Sequence, residues 1–526
     1  MTLRQRYLVL IAVFLGMLPA ALDQTIVDTA LPHMLADLGG VTLWGWVGAV
    51  FLITSTAPVP VMGRLIDLYG RKRFFIIAVA LFIGASVLCA TATSMPLLIL
   101  YRGIQGLGAG VIFPLGTIII GDLLPQEQRA RVMGLYVGAF GLATVIGPQV
   151  GGLLVDIAGW RSIFYMNVPL GILSLILVTR NLHETIARKR VPIDLAGAVL
   201  ITAGFALLLL ALQQGGTAWA WDSWQSLVML GAGALSLIAF VLVERRTPVP
   251  IFDLSLFRDT TFTTLCVMAF LAGAVVTSTA LFIPWFLQGV IGVSASAAGG
   301  ALSPMMLMLL IAAAISSTLT RHMTYRSQFI GGFALLAGAL LLMTQFSITT
   351  SWLYTALTTG VAGAGAGLIL PLLNVTVQNA FPPDRRSVVI ATTSFARAVG
   401  SAAGLTLFLA TFNSRMAAQF EPAIGPLLRD LPTPLAAGIR ATFAEHPLDL
   451  IQVLVNQQAT AALPPAVQAP LAGVVREMFI SSAYQVYLLG IGGCLLGALI
   501  ATLLGRASMT TAYRPEPEPE PESALI

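Results

Sequence analysis

Apolar runs of about twenty residues follow one another along nearly the whole chain, and the charges stand almost entirely in the short stretches between them. A bilayer's hydrocarbon core, about 30 Å thick, is crossed by roughly 20 helical residues. No water is available there, so each crossing segment must satisfy its own backbone, which a helix does. Only 10% of the 526 residues are charged and mean hydropathy is +0.89. Soluble domains carry roughly 25% charged residues, so these cannot cover a soluble fold of this length. The expectation is an all-α integral membrane protein.

Measured with that ruler, spans fall at 7–31, 44–63, 74–93, 96–120, 132–155, 161–181, 194–213, 224–243, 260–287, 297–319, 328–347, 352–374, 387–412 and 482–505, fourteen in all. An even number places both termini on one side. With that side cytoplasmic, 21 of the 28 basic residues lie in cytoplasmic segments. Five (Arg161, Arg415, Arg429, Arg440 and Arg476) lie outside, and Arg102 and Arg397 fall within spans. The positive-inside rule supports this orientation and count. Basic residues set in short inter-helix loops are topology signals, which argues against a nucleic-acid partner despite the net charge of +5. The first apolar run is too long for a signal peptide. Cys89, Cys266 and Cys494 lie in apolar runs without paired spacing and read as small buried hydrophobes, not metal ligands.

The expected organisation is an N-terminal six-helix bundle (1–190), a two-helix insert (191–250) and a C-terminal six-helix bundle (251–526). The segment RNLHETIARKR, Arg180 to Arg190, is the basic cytoplasmic connector. The insert spans are apolar on all sides until Gln213 and Gln214, as suits helices facing lipid. The Ala- and Pro-rich segment 413–481 reads as a long extracytoplasmic loop, and the acidic Pro-rich tail 514–526 as disordered.

Three motifs point to a family. Gly63-Arg64-Leu-Ile-Asp67-Leu-Tyr-Gly70-Arg71-Lys72-Arg73 joins spans two and three, and its spacing resembles the signature loop of the major facilitator superfamily. Leu100-Tyr-Arg102-Gly103-Ile-Gln105-Gly106-Leu-Gly108-Ala-Gly110 resembles the family's fourth-helix motif. Gly141-Leu-Ala-Thr-Val-Ile-Gly147-Pro148-Gln149-Val-Gly151-Gly152 is similar to the fifth-helix motif of its antiporter branches. The stretches Leu22 to Pro32 and Trp160 to Pro169 resemble the fourteen-helix drug:proton antiporters of the EmrB/QacA kind. The likeness runs through all the spans and weakens in segment 413–481 and the tail. There are two departures: Asp28 stands where the family usually has Asn, and Ser317 to Arg326, where the second half should echo the signature loop, lacks the acidic residue.

An ionisable residue inside a span costs at least about 2.5–3.5 kcal/mol on insertion scales and usually does a job. Asp23 and Asp28 on span one are the acidic candidates. At about 100° per residue, Asp23, Gln24, Asp28 and Thr25 fall at roughly 0°, 100°, 140° and 200°, giving that helix one polar side. Counting about 1.5 Å per residue from Tyr7 puts Asp23 roughly 24 Å up and Asp28 roughly 31 Å, near the outer interface. Arg102, about 10 Å below the outer surface on span four, reaches the level of Asp23. An Asp–Arg pair at one depth suits a proton switch; the alternative is a static pair that fixes two helices. Arg397, near the midplane of span thirteen, has no evident acidic partner.

The resemblance implies a proton-coupled exporter working by alternating access, with Asp23, Arg102 and Asp28 in coupling. Gly63, Arg64, Asp67, Gly70, Arg71, Gly147, Pro148, Gly151 and Gly152 would serve in gating. Gln24, Gln149, Asn167, Trp285, Gln288, Asn374, Gln378 and Arg397 are the polar or aromatic candidates for a cavity. Gly147-Pro148 is the expected bend, since Pro removes a helix hydrogen bond. Implied substrates are small lipophilic or cationic compounds, with lipids or glycolipids as the alternative cargo. Protons are the energy source, there is no cofactor, and the chain acts as a monomer in the cell membrane. An ATP-driven pump would need a Walker A motif and an intramembrane metalloprotease H-E-x-x-H; neither pattern occurs. A transporter-like sensor is the reading from another class.

Overall fold

A computed structural model describes residues 2–39, 43–183, 194–215, 219–247, 254–293, 300–320, 322–381, 385–429, 436, 440 and 465–504. The described chain is helical, with one isolated bridge between Gly215 and Trp219. The helices are α1 (Leu3–Leu38), α2 (Trp44–Thr56), α3 (Val59–Tyr69), α4 (Arg71–Ala90), α5 (Met95–Leu123), α6 (Gln126–Ala158), α7 (Ser162–Tyr165) and α8 (Asn167–Asn181). They continue as α9 (Leu195–Gln214), α10 (Trp224–Glu244), α11 (Thr260–Phe286), α12 (Ser303–Leu319), α13 (Tyr325–Met343), α14 (Trp352–Ala380), α15 (Arg386–Leu428) and α16 (Pro465–Ala501).

Local chemistry sets many of these boundaries. Thr2 and Gln5 form a reciprocal capping box on α1. Asp194, Ser223, Asp259, Thr324 and Ser351 accept bonds from the first-turn amides of α9, α10, α11, α13 and α14. At Gly70 φ is 97°, a conformation that L side chains rarely adopt, and it allows the tight turn from α3 into α4. Pro58, without an N–H, separates α2 from α3.

Among the described residues twelve helices are long and apolar enough to cross a membrane. A thirteenth follows if Arg131–Thr144 and Gln149–Ala158, bent by 49°, form one span. The expected fourteen is reached only by adding the shorter apolar stretch Ser303–Ser316. The bend in α6 brackets Gly147-Pro148, as expected. Span 161–181 is two helices, broken at Met166. Segment 413–481 differs most from expectation: α15 runs on to Leu428 and α16 begins at Pro465, so both its ends are helical. Apolar length marks where a bilayer ends, whereas Ala, Met, Gln and Glu keep a helix going beyond it. The connector 184–193 and the tail 514–526 lie outside the described residues.

The helices α1–α8 pack among themselves through α1·α6, α4·α5, α2·α5 and α1·α8. The helices α11–α16 do so through α11·α15, α12·α14, α13·α14 and α13·α16. The two sets share one construction. Gly103, Gly106, Gly108, Gly110 and Pro114 of α5 recur at a constant offset as Gly360, Gly363, Gly365, Gly367 and Pro371 of α14. Corresponding glycines meet corresponding neighbours. Gly110 abuts the Ser55 carbonyl of α2 and Gly367 the Leu309 carbonyl of α12, while Gly108 and Gly365 close on α4 and α13. A side chain at these points would hold the backbones apart, and this is how small residues permit close helix pairing in a bilayer.

The helices α9 and α10 pair with each other, and α9 also lies against α2 and α15. The Phe205 ring of α9 packs at a tilt, 4.1 Å between centres, on Phe395 of α15, in a cluster that includes Val59 of α3 and Ala391. Their other faces are bare: Leu195, Val199, Trp224 and Leu235 are each more than 60% exposed, as suits contact with lipid.

Candidate functional site

Three features stand out: a buried ion-pair cluster, a central cavity, and a closed arginine-rich end.

The cluster joins α1, α4, α5 and α8. Asp23, Ser86, Arg102, Gln105 and Asn167 are each 2% exposed or less. The Arg102 guanidinium donates to Asp23 Oδ2 and to Gln105 Oε1 at 2.7 Å. Its Nε faces the Val47 carbonyl at 3.5 Å, and it lies 4.1 Å over the Phe51 ring. Asp23 Oδ1 accepts from Gln105 Nε2 at 3.1 Å and Asn167 Nδ2 at 3.2 Å. Ser86 Oγ takes the same two amides, at 2.8 and 3.2 Å. Both carboxylate oxygens therefore face donors. Asn167 Oδ1 is buried and accepts no hydrogen bond.

The expected partnership of Asp23 and Arg102 is thus present geometrically. Gln105 and Ser86 were missed as site residues. Gln105 belongs to the fourth-helix motif, but an uncharged side chain within a span gives no depth-matching signal of the kind two opposite charges give. Asn167, expected in the cavity, belongs to this cluster, because the break at Met166 brings it opposite Asp23.

The cavity, about 660 Å³, falls in the range of small-molecule sites. It lies between the two helix sets, lined by Thr25, Phe113, Phe140, Thr144 and Gln149 on one side and Gln288, Met305, Met306, Leu309, Asn374 and Arg397 on the other. Of the expected residues, Gln149, Gln288, Asn374 and Arg397 line it. Gln24 is exposed elsewhere on α1, and Trp285 packs edge-on against Phe282 at 5.8 Å. Asp23 is two residues from Thr25 but turns into the cluster, while Thr25 bonds the Thr144 carbonyl at 3.0 Å. Gly147 gives Thr25 room, since a Cβ there would collide with its hydroxyl.

Beyond one end of the cavity the two sets close on each other. Gly134 and Gly138 of α6 press on Ala313 and Leu310 of α12, and α3 packs on α15. Gln378, expected in the cavity, lies at this closure and donates to the Thr117 carbonyl at 3.0 Å, with Gly121 against its amide. The internal repeat continues here. Arg129 Nε caps the Leu124 carbonyl at 2.9 Å, and its counterpart Arg386 caps Phe381 at 3.0 Å. Arg71 pairs with Asp122; their counterparts Tyr325 and Asn379 form a neutral bond of 2.9 Å. Arg129 reaches Asn379 across the gap at 3.5 Å. Burial first, then Arg129, hold the Arg386 guanidinium below its ordinary value, while Asp122 opposes them. Gly63 is buried in α3 and Gly151 in α6, and nothing lies where Gly152 would carry a Cβ. The side chains of Asp28, Arg64, Asp67 and Pro148 lie outside the described residues. Arg71, expected among the gating residues, pairs with the end of the neighbouring helix α5. No group of residues able to hold a metal is present among the described residues.

Residues 13–405 match the family model described as Major Facilitator Superfamily. Among curated relatives, the Multidrug transporter protein MdtP of Bacillus subtilis is 34% identical over 95% of this chain and 93% of its own length. Multidrug resistance protein 3 of the same organism is 35% identical over 76% of this chain and 78% of its own. Among solved structures, the human organic anion transporter MFSD10 superposes with a TM-score of 0.61 at 16% identity, covering 94% of this chain and 99% of its own; at that identity the likeness concerns the fold alone.

Proposed function

The chain belongs to the Major Facilitator Superfamily and is a multi-pass membrane transporter, and from that premise we propose that it is a proton-coupled exporter of lipophilic small molecules. The names of its relatives, a multidrug transporter and a multidrug resistance protein, support the cargo class. The observation that carries the coupling is the Asp23 cluster. Its carboxylate faces only donors, and Asn167 offers an unused acceptor beside it. In the proposed cycle a proton reaching Asp23 frees Arg102, the four helices of the cluster repack, and the closure at the arginine-rich end loosens. One proton crossing the membrane potential is worth about 2.3 kcal/mol per 100 mV, enough to drive export uphill.

In this reading the arginine-rich end is cytoplasmic, by the positive-inside rule, and so are both termini; the cavity then faces outward. Residues 1–190 and 251–526 are the two bodies that rock, and 191–250 is an insert. The protein works as a monomer in the cell membrane, with no cofactor beyond the proton gradient. Substrate-dependent proton movement in proteoliposomes, with and without Asp23→Asn, tests the coupling. The variant is expected to lose it; coupling that persists in Asp23→Asn overturns the assignment.

A further inference from the structure

Arg397 stands apart from the Asp23 cluster and has no part in the coupling derived above. It lies in the first third of α15, lines the cavity, and projects towards Phe113 of α5, its guanidinium carbon 5.7 Å from that ring's centre. Thr393 and Ser394, four and three residues earlier, line the same cavity, so one face of α15 is turned into it. The backbone fixes that orientation. The Arg397 carbonyl abuts Gly273 of α11, and Gly400 abuts the Phe270 carbonyl, leaving α15 no room to turn on its axis. The stacking on Phe113 is the sole electrostatic or polar contact that Arg397 makes among the described residues. A guanidinium is expensive inside a membrane span, and this one is not neutralised by a carboxylate as Arg102 is.

Around it the cavity is of two kinds. Phe140, Met305, Met306, Leu309, Leu370 and Leu373 form apolar wall, whereas Gln149, Gln288 and Asn374 supply amides. Arg397 is the charged residue among the lining side chains described. A cationic guest would therefore meet like charge. A guest with one negative group and an apolar body would place the group on the guanidinium fork and amide donors, and the body on the wall.

We propose that Arg397 is the recognition residue of this cavity and that its guests are amphipathic anions, a single sulfonate, carboxylate or phosphate on an aromatic or alkyl body. This rests on the cavity being the transport site, and it replaces the cationic substrates expected from sequence. Free amphiphiles and anionic lipids share this chemistry.

The test is equilibrium binding by the full chain in phosphatidylcholine nanodiscs, with empty discs subtracted. The probes are 8-anilinonaphthalene-1-sulfonate, its uncharged analogue N-phenyl-1-naphthylamine, and the cation ethidium. Charge-assisted hydrogen bonding predicts about tenfold tighter binding of the sulfonate than of the analogue, with ethidium weakest. Arg397→Gln should abolish the difference between the first two probes and Arg397→Lys retain part of it. Discs doped with phosphatidylglycerol separate the two sources. Weakened sulfonate binding there identifies lipid as a guest, and unchanged binding identifies the free amphiphile. Equal affinities in the unmutated protein, which need no variant, would overturn the proposal, as would a difference that survives Arg397→Gln. Binding requires no gradient, so failure of proton coupling leaves this result standing, and failure here leaves the coupling reading untouched.

Discussion

Gly134→Ala should unlatch the arginine-rich end while strengthening the helix that carries it. Gly134 lies on α6, and a Cβ there would sit 2.6 Å from the Ala313 Cβ and 3.2 Å from its carbonyl carbon on α12. Ala313 has no side chain to swing away, so α6 and α12 must part by roughly 1 Å to restore ordinary contact, and overpacking of this kind costs about 1–3 kcal/mol. Replacing a mid-helix glycine by alanine returns roughly 0.5–1 kcal/mol of helix stability in either conformation. The clash is made between the two helix sets and is relieved when they separate, so it acts on the open–closed equilibrium. That equilibrium should move by roughly fivefold to a hundredfold towards opening of this end. Spin labels on Gln128→Cys and His322→Cys, both exposed positions flanking the closure, report it by pulsed electron–electron distance measurement; the native cysteines are buried. Gly110→Ala is the control. Its clash with the Ser55 carbonyl lies within one helix set, so it should lower stability without shifting the distances. An unchanged distance distribution in Gly134→Ala, or an equal shift in Gly110→Ala, would refute the reasoning.

Three further outcomes follow from the geometry. Arg102→Ala leaves Asp23 as an uncompensated buried charge and should cost about 3–5 kcal/mol in unfolding experiments, whereas Arg440→Ala, whose pair with Glu421 is exposed, should barely register. Asp122→Asn removes the carboxylate that offsets Arg71 and Arg386; the same spin labels should show the arginine-rich end opening by up to about fivefold, as a partly exposed pair allows, and less at high salt. Asp37 is held below the usual carboxylate range by the hydrogen bond from Arg161 first and Trp160 second, so its contribution is complete above its unfolded value and fades as pH falls through the lower folded value. The difference in melting temperature between the native chain and Asp37→Asn should stay flat from neutral pH to about pH 4 and shrink below that, with growth on acidification as the contrary result.

Helical spans and the Asp23–Arg102 pair were legible in the sequence for one physical reason: charges are scarce inside apolar runs, so two of them at matched depth draw attention to each other. Gln105, Ser86 and Asn167 were not legible as their companions, because uncharged polar side chains are common in membrane helices and their depth alone names no partner. The extension of α15 to Leu428 escaped a ruler that measures bilayer thickness and is blind to where a helix stops. The internal repeat was present to be read. The spacing of Gly103, Gly106, Gly108, Gly110 and Pro114 returns at Gly360, Gly363, Gly365, Gly367 and Pro371, yet glycine-rich stretches invite local explanations and conceal long-range ones. With that alignment Tyr325 and Asn379 occupy the places of Arg71 and Asp122, so a neutral bond in the second half stands where the first has an ion pair.

Helix α9 has a mechanical consequence. It grips α15 at Phe395 and again where Thr406 bonds the Leu212 carbonyl at 2.9 Å, while it shares the Val59 cluster with α3. Any motion that draws α3 away from α15 must peel α9 off one of them and expose that cluster. The accessory pair α9–α10 is then a sprung hatch-cover over one seam of the machine. Substitutions at Phe205 are expected to alter how readily that seam parts, although no described residue of α9 lines the cavity.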